Sequence, residues 1–128
     1  MERELAVALE PVLRDLAKPG GVLPDVRDEA WSDVPRTASA MLWAADGSGT
    51  GVSLELGKPG STQIAALADQ VQEWAVEALW SLRRPTNWPP CPHHPGSHPL
   101  APTESDGRAV WICPVDKSEV SEIGRLAE

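Results

Sequence analysis

The sequence contains no phenylalanine or tyrosine, and its aromatic residues are six tryptophans. Cysteine, histidine and lysine are also scarce, with two, three and three residues in a chain of 128. No apolar run approaches the roughly 18 residues that cross a bilayer, and the first residues, MERELAVALEPVL, lack the apolar core of a secretory signal. These absences predict a cytoplasmic protein, in which cysteines are more often metal ligands or free thiols than disulfides.

Positive charge is in short supply as well, since 19 acidic residues outnumber 11 lysines and arginines and leave a formal net charge of −8. A negative surface disfavours binding to nucleic-acid phosphates or anionic lipid, because both require a positive field. The densest acidic group, in the segment 25–33, consists of Asp25, Asp28, Glu29 and Asp33. We therefore predict no nucleic-acid or membrane partner, and we take this acidic segment as the candidate contact surface for another protein.

Apolar residues recur at helical spacing near the N-terminus. They fall four, three and four positions apart within residues 2–17, which predicts a helix there. Pro11 removes one backbone hydrogen bond, so we expect either a kink or a second helix that begins at this residue. The following segment 22–36 is rich in proline and acidic residues and is expected to be irregular, with Trp31 and Val34 holding it to the core.

The middle of the chain predicts a β-hairpin. TASAMLWAA (37–45) is apolar, and GVSLELG (51–57) alternates between apolar and polar residues, as strands with one buried face do. The connector DGSGTG supplies glycines for a turn but lacks the lysine and the spacing of a phosphate-binding loop. Because two strands alone are marginally stable, we expect the hairpin to pair further, either with C-terminal strands or with a second copy in a homodimer.

A long amphipathic helix is predicted over residues 61–84. Its apolar residues form one stripe, Ser61 or Thr62 can cap its first turn, and a proline follows its end. Trp80 lies off the stripe and is expected to pack against the segment that follows.

The stretch WPPCPHHPGSHPL (88–100) contains all three histidines and one of the two cysteines. The second cysteine follows within WICPV (111–115). Imidazole nitrogen and thiolate sulfur are preferred zinc ligands, and a structural site arranges four ligands in a tetrahedron. The candidates for these four positions are Cys91, His93, His94, His98 and Cys113.

Residues 91–96, CPHHPG, resemble the zinc knuckle of zinc ribbons, Cys-Pro-x-Cys-Gly, with histidine in the second ligand position. The resemblance implies Cys91 and His94, three residues apart, as ligands. Cys113 and the proline after it resemble the start of a second knuckle, although Asp116 occupies the second ligand position there.

His98 is the best fourth ligand, because it lies four residues after His94 in a loop bounded by two prolines. His93 and Asp116 are the reserves. The predicted metal ligands are Cys91, His94, His98 and Cys113.

Over residues 88–126, the pattern CPxHPxxHPL … AVWxCP … IGxL resembles the C-terminal part of small zinc-ribbon-like proteins of high-GC bacteria. The resemblance implies a compact β element held by structural zinc. It implies no enzymatic activity.

Two other arrangements stay open. Cys91 and Cys113 can form a disulfide in an oxidising compartment. Alternatively, a zinc ion without His98 would keep a water molecule, and Glu104 or Asp106 would serve as general base in a zinc hydrolase. The residue patterns of zinc deaminases and of HExxH metalloproteases are absent from the sequence.

Together these patterns predict an α+β protein. Residues 1–84 form a core of N-terminal helix, β-hairpin and long helix. Residues 85–128 form a zinc-ribbon-like element with strands over 108–114 and 119–126, packed on the core as one cooperative domain. The predicted function is that of a non-enzymatic, acidic, zinc-binding adaptor or regulator of other proteins, and a zinc-dependent hydrolase is the alternative.

Overall fold

Two helices and six strands make up the computed structural model, which describes residues 1–127. In chain order the elements are α1 (Arg3–Leu16), β1 (Asp25–Arg27), β2 (Thr37–Trp43), β3 (Gly49–Glu55), α2 (Gly60–Ser81), β4 (Ala101–Ser105), β5 (Arg108–Ile112) and β6 (Glu119–Glu122). Within these residues, neither helix is both long and apolar enough to cross a membrane. The predicted α+β class, with a helix, a hairpin and a long helix in this order, is confirmed.

The first sheet is antiparallel, with the order β1–β2–β3. The β2–β3 hairpin lies within two residues of its predicted bounds, and β1 adds a third strand in which Val26 lies opposite Leu42. The expectation of an irregular segment 22–36 is therefore wrong for β1, and the first of the two pairings considered for the hairpin, that with the C-terminal strands, does not form. Val34 is 58% exposed, so its expected packing on the core is wrong. A strand of three residues is too short to show an alternating pattern, so the sequence did not reveal it.

The helix α1 continues through Pro11, so the second helix that we considered at this residue does not form. Pro11 packs against Gly124, where an added Cβ would lie 2.8 Å from the Cβ of Pro11. Gly124 also has a φ of +103°, which residues with a side chain rarely adopt. The buried face of α1 consists mainly of Leu5, Ala8, Leu9, Val12 and Leu16.

The helix α2 is the central element of the fold, since it contacts α1, β3, β4 and β5. It ends at Ser81, three residues before its predicted end. Trp80 is 76% exposed, so its expected packing on the following segment is wrong. That segment contacts a different side of α2, because Gln72 donates hydrogen bonds to the backbone of Trp88 and Leu100.

The first turn of α2 is bonded to the second sheet. The helix begins at Gly60 without a side-chain cap, so the predicted capping by Ser61 or Thr62 is wrong. Both hydroxyls instead donate to Oε1 of Glu104 in β4, at 3.0 Å and 2.9 Å. These bonds attach β4 to the start of α2.

Two glutamines of α2 cover the outer edge of β3. Gln70 accepts a hydrogen bond from Ser53 N through Oε1 at 2.9 Å and donates Nε2 to Ser53 O at 2.8 Å. Gln63 donates Nε2 to Glu55 O at 3.0 Å. Because these side chains occupy the position of a neighbouring strand, this edge of the hairpin is closed to further pairing.

The second sheet is also antiparallel, with the order β4–β5–β6. β5 and β6 lie inside the two predicted C-terminal strands, whereas β4 was not predicted because it contains Pro102. Proline is tolerated in an edge strand, where its missing N–H is not needed by a neighbour. Pro102 lies opposite Trp111 in this sheet.

A buried carboxylate connects α1 to the second sheet and to the chain after it. Asp15 has no exposed surface. Its Oδ2 accepts hydrogen bonds from Trp111 Nε1 at 2.8 Å and from Gly124 N at 2.7 Å, and its Oδ1 accepts one from Leu126 N at 3.1 Å. These bonds join residues between 96 and 111 positions apart in the chain.

Replacing Asp15 by alanine would leave two buried N–H donors, of Trp111 and Gly124, and one half-buried donor, of Leu126, without this acceptor. Each such donor costs roughly 1–3 kcal/mol, so we expect Asp15→Ala to lower the free energy of unfolding by about 3 kcal/mol or more. Urea denaturation followed by tryptophan fluorescence measures the change. The control Asp69→Ala, at an exposed position of α2, should change the stability by about 0.5 kcal/mol at most. Equal losses in the two variants would contradict this role of Asp15.

Glu4 links α1 to the end of the hairpin. Its Oε1 accepts hydrogen bonds from Gly57 N at 2.8 Å and from Gln63 Nε2 at 2.9 Å. These two bonds, that from Gly57 first, hold the pKa of the Glu4 carboxyl below its ordinary value of 4.5.

Because the pKa of Glu4 is lower in the folded than in the unfolded protein, its ionised carboxylate stabilises the fold above the unfolded-state value. This contribution is lost as the pH falls through the folded-state pKa. We expect Glu4→Gln to be less stable than the wild type near neutral pH and equally stable in strong acid. Thermal unfolding over a pH series measures the difference, with Glu73→Gln on the exposed side of α2 as control. A stability difference that does not change with pH would rule out this linkage.

Candidate metal centre

Gln72 of α2 holds both ends of the proline-rich loop that carries three of the predicted ligands. Its Nε2 donates to Trp88 O at 3.2 Å and to Leu100 O at 2.6 Å. The two ends also bond to each other, since Leu100 N donates to Pro89 O at 2.7 Å. Proline lacks an N–H, so a loop rich in proline depends on such outside donors. The ligands in this loop are Cys91, His94 and His98.

The four predicted ligands meet at one place. Their ligand atoms, from Cys91, His94, His98 and Cys113, all lie within 4.8 Å of one another. His94 Nδ1 lies 3.8 Å from Cys91 Sγ, 3.5 Å from Cys113 Sγ and 3.1 Å from His98 Nε2. Cys113 Sγ lies 3.9 Å from His98 Nε2. This group can hold a metal ion.

The sulfur side of this group is enclosed by the protein core. Cys91 and Cys113 are 1% and 0% exposed, and they belong to the same buried cluster as Trp88 and Trp111. The two indole rings meet edge to face with centroids 5.6 Å apart, a favourable aromatic arrangement. Both tryptophans therefore belong to the buried core that encloses the thiols.

The tautomer of His98 is fixed by the backbone. Its Nδ1 lies 3.0 Å from Pro99 O. A carbonyl oxygen only accepts hydrogen bonds, so Nδ1 carries the proton and Nε2 keeps a lone pair. Because Nε2 is the atom that lies in the four-atom group, the ring is oriented for metal binding in the way that outer-shell carbonyls orient metal-ligating histidines.

Each cysteine lies at the start of a tight turn. In the first turn, His94 N donates to Cys91 O at 3.3 Å. In the second, Lys117 N donates to Cys113 O at 2.8 Å. The pKa of the Cys113 thiol is raised, mainly because burial disfavours the charged thiolate.

The two reserve ligands lie beside the four-atom group. His93 and Asp116, 43% and 45% exposed, contact each other, with Nδ1 and Oδ2 3.3 Å apart. They also form a second group of possible ligand atoms with Cys113. Ser118 engages both side chains, and its hydroxyl and backbone N–H hold the pKa of the Asp116 carboxyl well below its usual range.

The two alternatives to a closed metal site are a disulfide between Cys91 and Cys113 and a hydrolytic zinc site with a carboxylate as general base. Both cysteines are free thiols. Glu104, the first candidate base of a hydrolase, accepts the hydroxyls of Ser61 and Thr62 at the start of α2. Asp106 lies in the turn between β4 and β5, with a φ of 52°. Among residues 1–127, neither carboxylate belongs to a group of possible metal ligands.

Sequence reasoning missed the polar residues that position the ligands. Gln72 lies off the apolar stripe of α2 and resembles an ordinary surface residue, so no local pattern identifies it. Asp15 offered one signal, since it follows Val12 by three positions and therefore lies on the apolar face of α1. A carboxylate at such a position requires buried partners.

Comparison with protein-family models, curated proteins and solved structures found no match to this chain. The resemblance of residues 88–126 to zinc-ribbon-like proteins therefore stays a prediction. The function has to be inferred from the geometry of the metal centre and from the surfaces around it.

Proposed function

We propose that this chain is a zinc-binding protein in which the ion has a structural role. The observation that carries the proposal is the group of two thiol sulfurs and two imidazole nitrogens within 4.8 Å of one another. Structural zinc sites use this mixture of nitrogen and sulfur ligands, whereas calcium and magnesium take oxygen ligands.

The distances within the group fit a tetrahedron around zinc. With zinc–sulfur and zinc–nitrogen bonds of about 2.3 Å and 2.05 Å, a sulfur and a nitrogen at two corners lie about 3.6 Å apart, and two nitrogens about 3.3 Å apart. Three of the four sulfur–nitrogen distances are 3.5, 3.8 and 3.9 Å, the nitrogen–nitrogen distance is 3.1 Å, and all four ligand atoms lie within 4.8 Å of one another. Zinc therefore fits with only small side-chain adjustments.

Four protein ligands complete the coordination of zinc and leave no position for water. A hydrolytic site needs an open position and a nearby general base. The bond between His98 Nδ1 and Pro99 O favours the closed site, because it directs Nε2 into the group. We therefore favour a non-enzymatic role over the zinc hydrolase.

Zinc has a clear structural task in this chain. The loop 88–100 is dominated by proline and polar residues, so it has little apolar surface to bury and few backbone donors. Zinc binding can contribute roughly 10–16 kcal/mol in small zinc-dependent peptides. The ion would join this loop to the end of β5 through Cys113, and so hold the second sheet closed on one side.

The role that we propose for the folded protein is that of an adaptor or regulator that contacts another protein. Its net charge of −8 and the exposed acidic segment 25–33 suit a partner with a basic surface. This segment is ordered by its own contacts, since Glu29 accepts a hydrogen bond from Trp43 Nε1 and Asp28 pairs with the amino group of Met1. Ordered side chains reduce the entropy cost of binding.

We expect untagged protein, purified without chelator, to contain one zinc ion per chain by elemental mass spectrometry. His98→Ala removes a ligand and should weaken zinc binding by more than the roughly 10–100-fold that changes in the outer shell cost. The matched control is His93→Ala, since this neighbouring imidazole contacts Ser118 and Asp116 outside the four-atom group. It should retain the ion.

Substitution of cobalt for zinc reports the coordination number, because four-coordinate cobalt absorbs visible light far more strongly than six-coordinate cobalt. We expect the strong four-coordinate spectrum in the wild type and in His93→Ala. Full zinc binding by His98→Ala with unchanged affinity would contradict the closed site and support the hydrolase. Absence of metal from the wild type would contradict the proposal as a whole.

Removal of zinc by a chelator should loosen the second sheet more than the helices. We expect faster hydrogen exchange in residues 88–118, since zinc joins the loop 88–100 to the turn that follows β5. The amides of α1 and α2 should stay more protected, because the two helices also pack against each other and against the first sheet. Mass spectrometry of exchanged peptides measures this difference. Unchanged exchange in residues 88–118 of a demonstrably metal-free sample would contradict the structural role of zinc.

A further inference from the structure

The two edges of the first sheet differ in their surroundings. Gln63 and Gln70 of α2 form hydrogen bonds with the backbone N–H and C=O groups on the outer edge of β3. Among residues 1–127, no strand pairs with the outer side of β1. The chain turns away immediately after β1, since Glu29 N donates to Arg27 O and Trp31 Nε1 donates to Val52 O across the sheet. β1 is therefore an open edge strand.

The hydrogen bonds of the hairpin determine which groups of β1 face this edge. Ala44 N donates to Ser48 O, and hydrogen-bonded pairs alternate with non-bonded pairs along an antiparallel ladder. The even-numbered residues of β2 thus bond β3, and the odd-numbered ones face β1. Val26 lies opposite Leu42, an even-numbered residue. Because only the odd-numbered residues of β2 bond β1, the N–H and C=O of Val26 point away from β2, toward the open edge.

We propose that β1 pairs antiparallel with β1 of a second copy of this chain, about a two-fold axis at Val26. Each Val26 N–H would donate to Val26 C=O of the second copy, which gives two symmetric hydrogen bonds and a continuous six-stranded sheet. Such an interface is isologous, so each contact occurs twice. This proposal does not depend on the zinc proposal.

The charges of β1 are complementary to themselves in this register. Asp25 would lie opposite Arg27 of the second copy, and Arg27 opposite Asp25 of the second copy. These are non-hydrogen-bonded pairs, in which facing side chains come closest. Both side chains are exposed and lie on one face of the sheet, where Arg27 Nε donates to Asp25 Oδ2 at 2.9 Å. If the two-fold axis lay at Asp25 or at Arg27 instead of Val26, two aspartates or two arginines would face each other.

An apolar groove beneath β1 adds surface to the proposed interface. It lies between α1 and β1, has a volume of about 470 Å³, and its apolar lining includes Leu9, Leu13, Ala17, Leu23 and Val26. Leu23 is 58% exposed at the start of the edge. A three-residue strand pair by itself buries less than the roughly 1,200 Å² of a stable interface, so the groove has to contribute. We accordingly expect a reversible dimer whose population rises with concentration.

Sedimentation of the untagged, zinc-containing protein over a range of concentrations tests the dimer. Arg27→Asp would replace both opposite-charge pairs by pairs of carboxylates that repel each other. Asp25→Arg would replace them by two repulsive pairs of guanidinium groups. Each single variant should raise the dimer dissociation constant by about tenfold or more. The double variant Asp25→Arg/Arg27→Asp restores both opposite-charge pairs and should dimerise like the wild type.

The control Lys58→Glu changes the net charge by as much as Arg27→Asp, at an exposed site after β3. It should leave the dissociation constant unchanged. Circular dichroism confirms that each variant keeps its fold. A wild type that stays monomeric at every concentration overturns the proposal. A dimer that persists in both single variants, or a double variant that fails to recover, overturns the assignment to β1.

Discussion

The buried carboxylate of Asp15 determines how the second sheet and the residues after it lie against α1. It accepts hydrogen bonds from the side chain of Trp111 and from the backbone of Gly124 and Leu126. β5 and the segment after β6 are thereby fixed on α1. Because Cys113 directly follows β5, the same bonds determine where one of the four ligands lies.

A second polar residue, Gln72, positions the loop 88–100 from α2. It binds both ends of the loop 88–100, which carries the other three ligands. The metal centre therefore forms where two segments meet, one positioned from each helix. In the loop, an amide side chain performs this task because its prolines leave few free N–H groups. The ion would then complete an arrangement that the two helices have already prepared.

The candidate metal centre and the edge of β1 involve different sheets. A closed zinc site would stabilise the second sheet without taking part in chemistry, while the first sheet presents an open strand and an acidic segment. A dimer through β1 would place Asp25 inside the interface and the other acidic residues of each copy, Asp28, Glu29 and Asp33, beside it. The proposed partner with a basic surface would then meet two such segments, which increases avidity where both bind at once.

The sequence by itself determined what repeats with a short period or lies within a few residues. The stripes of α1 and α2, the alternation of the hairpin and the spacing of Cys91, His94 and His98 are of this kind, and the structure brings these ligands together with Cys113. Only the tertiary structure decided that β1 pairs with β2 and that β4 pairs with β5. It also decided the exposure of Trp80 and the roles of polar side chains on the helices. Those features depend on contacts between residues far apart in the chain, and a three-residue strand is too short to leave a periodic trace.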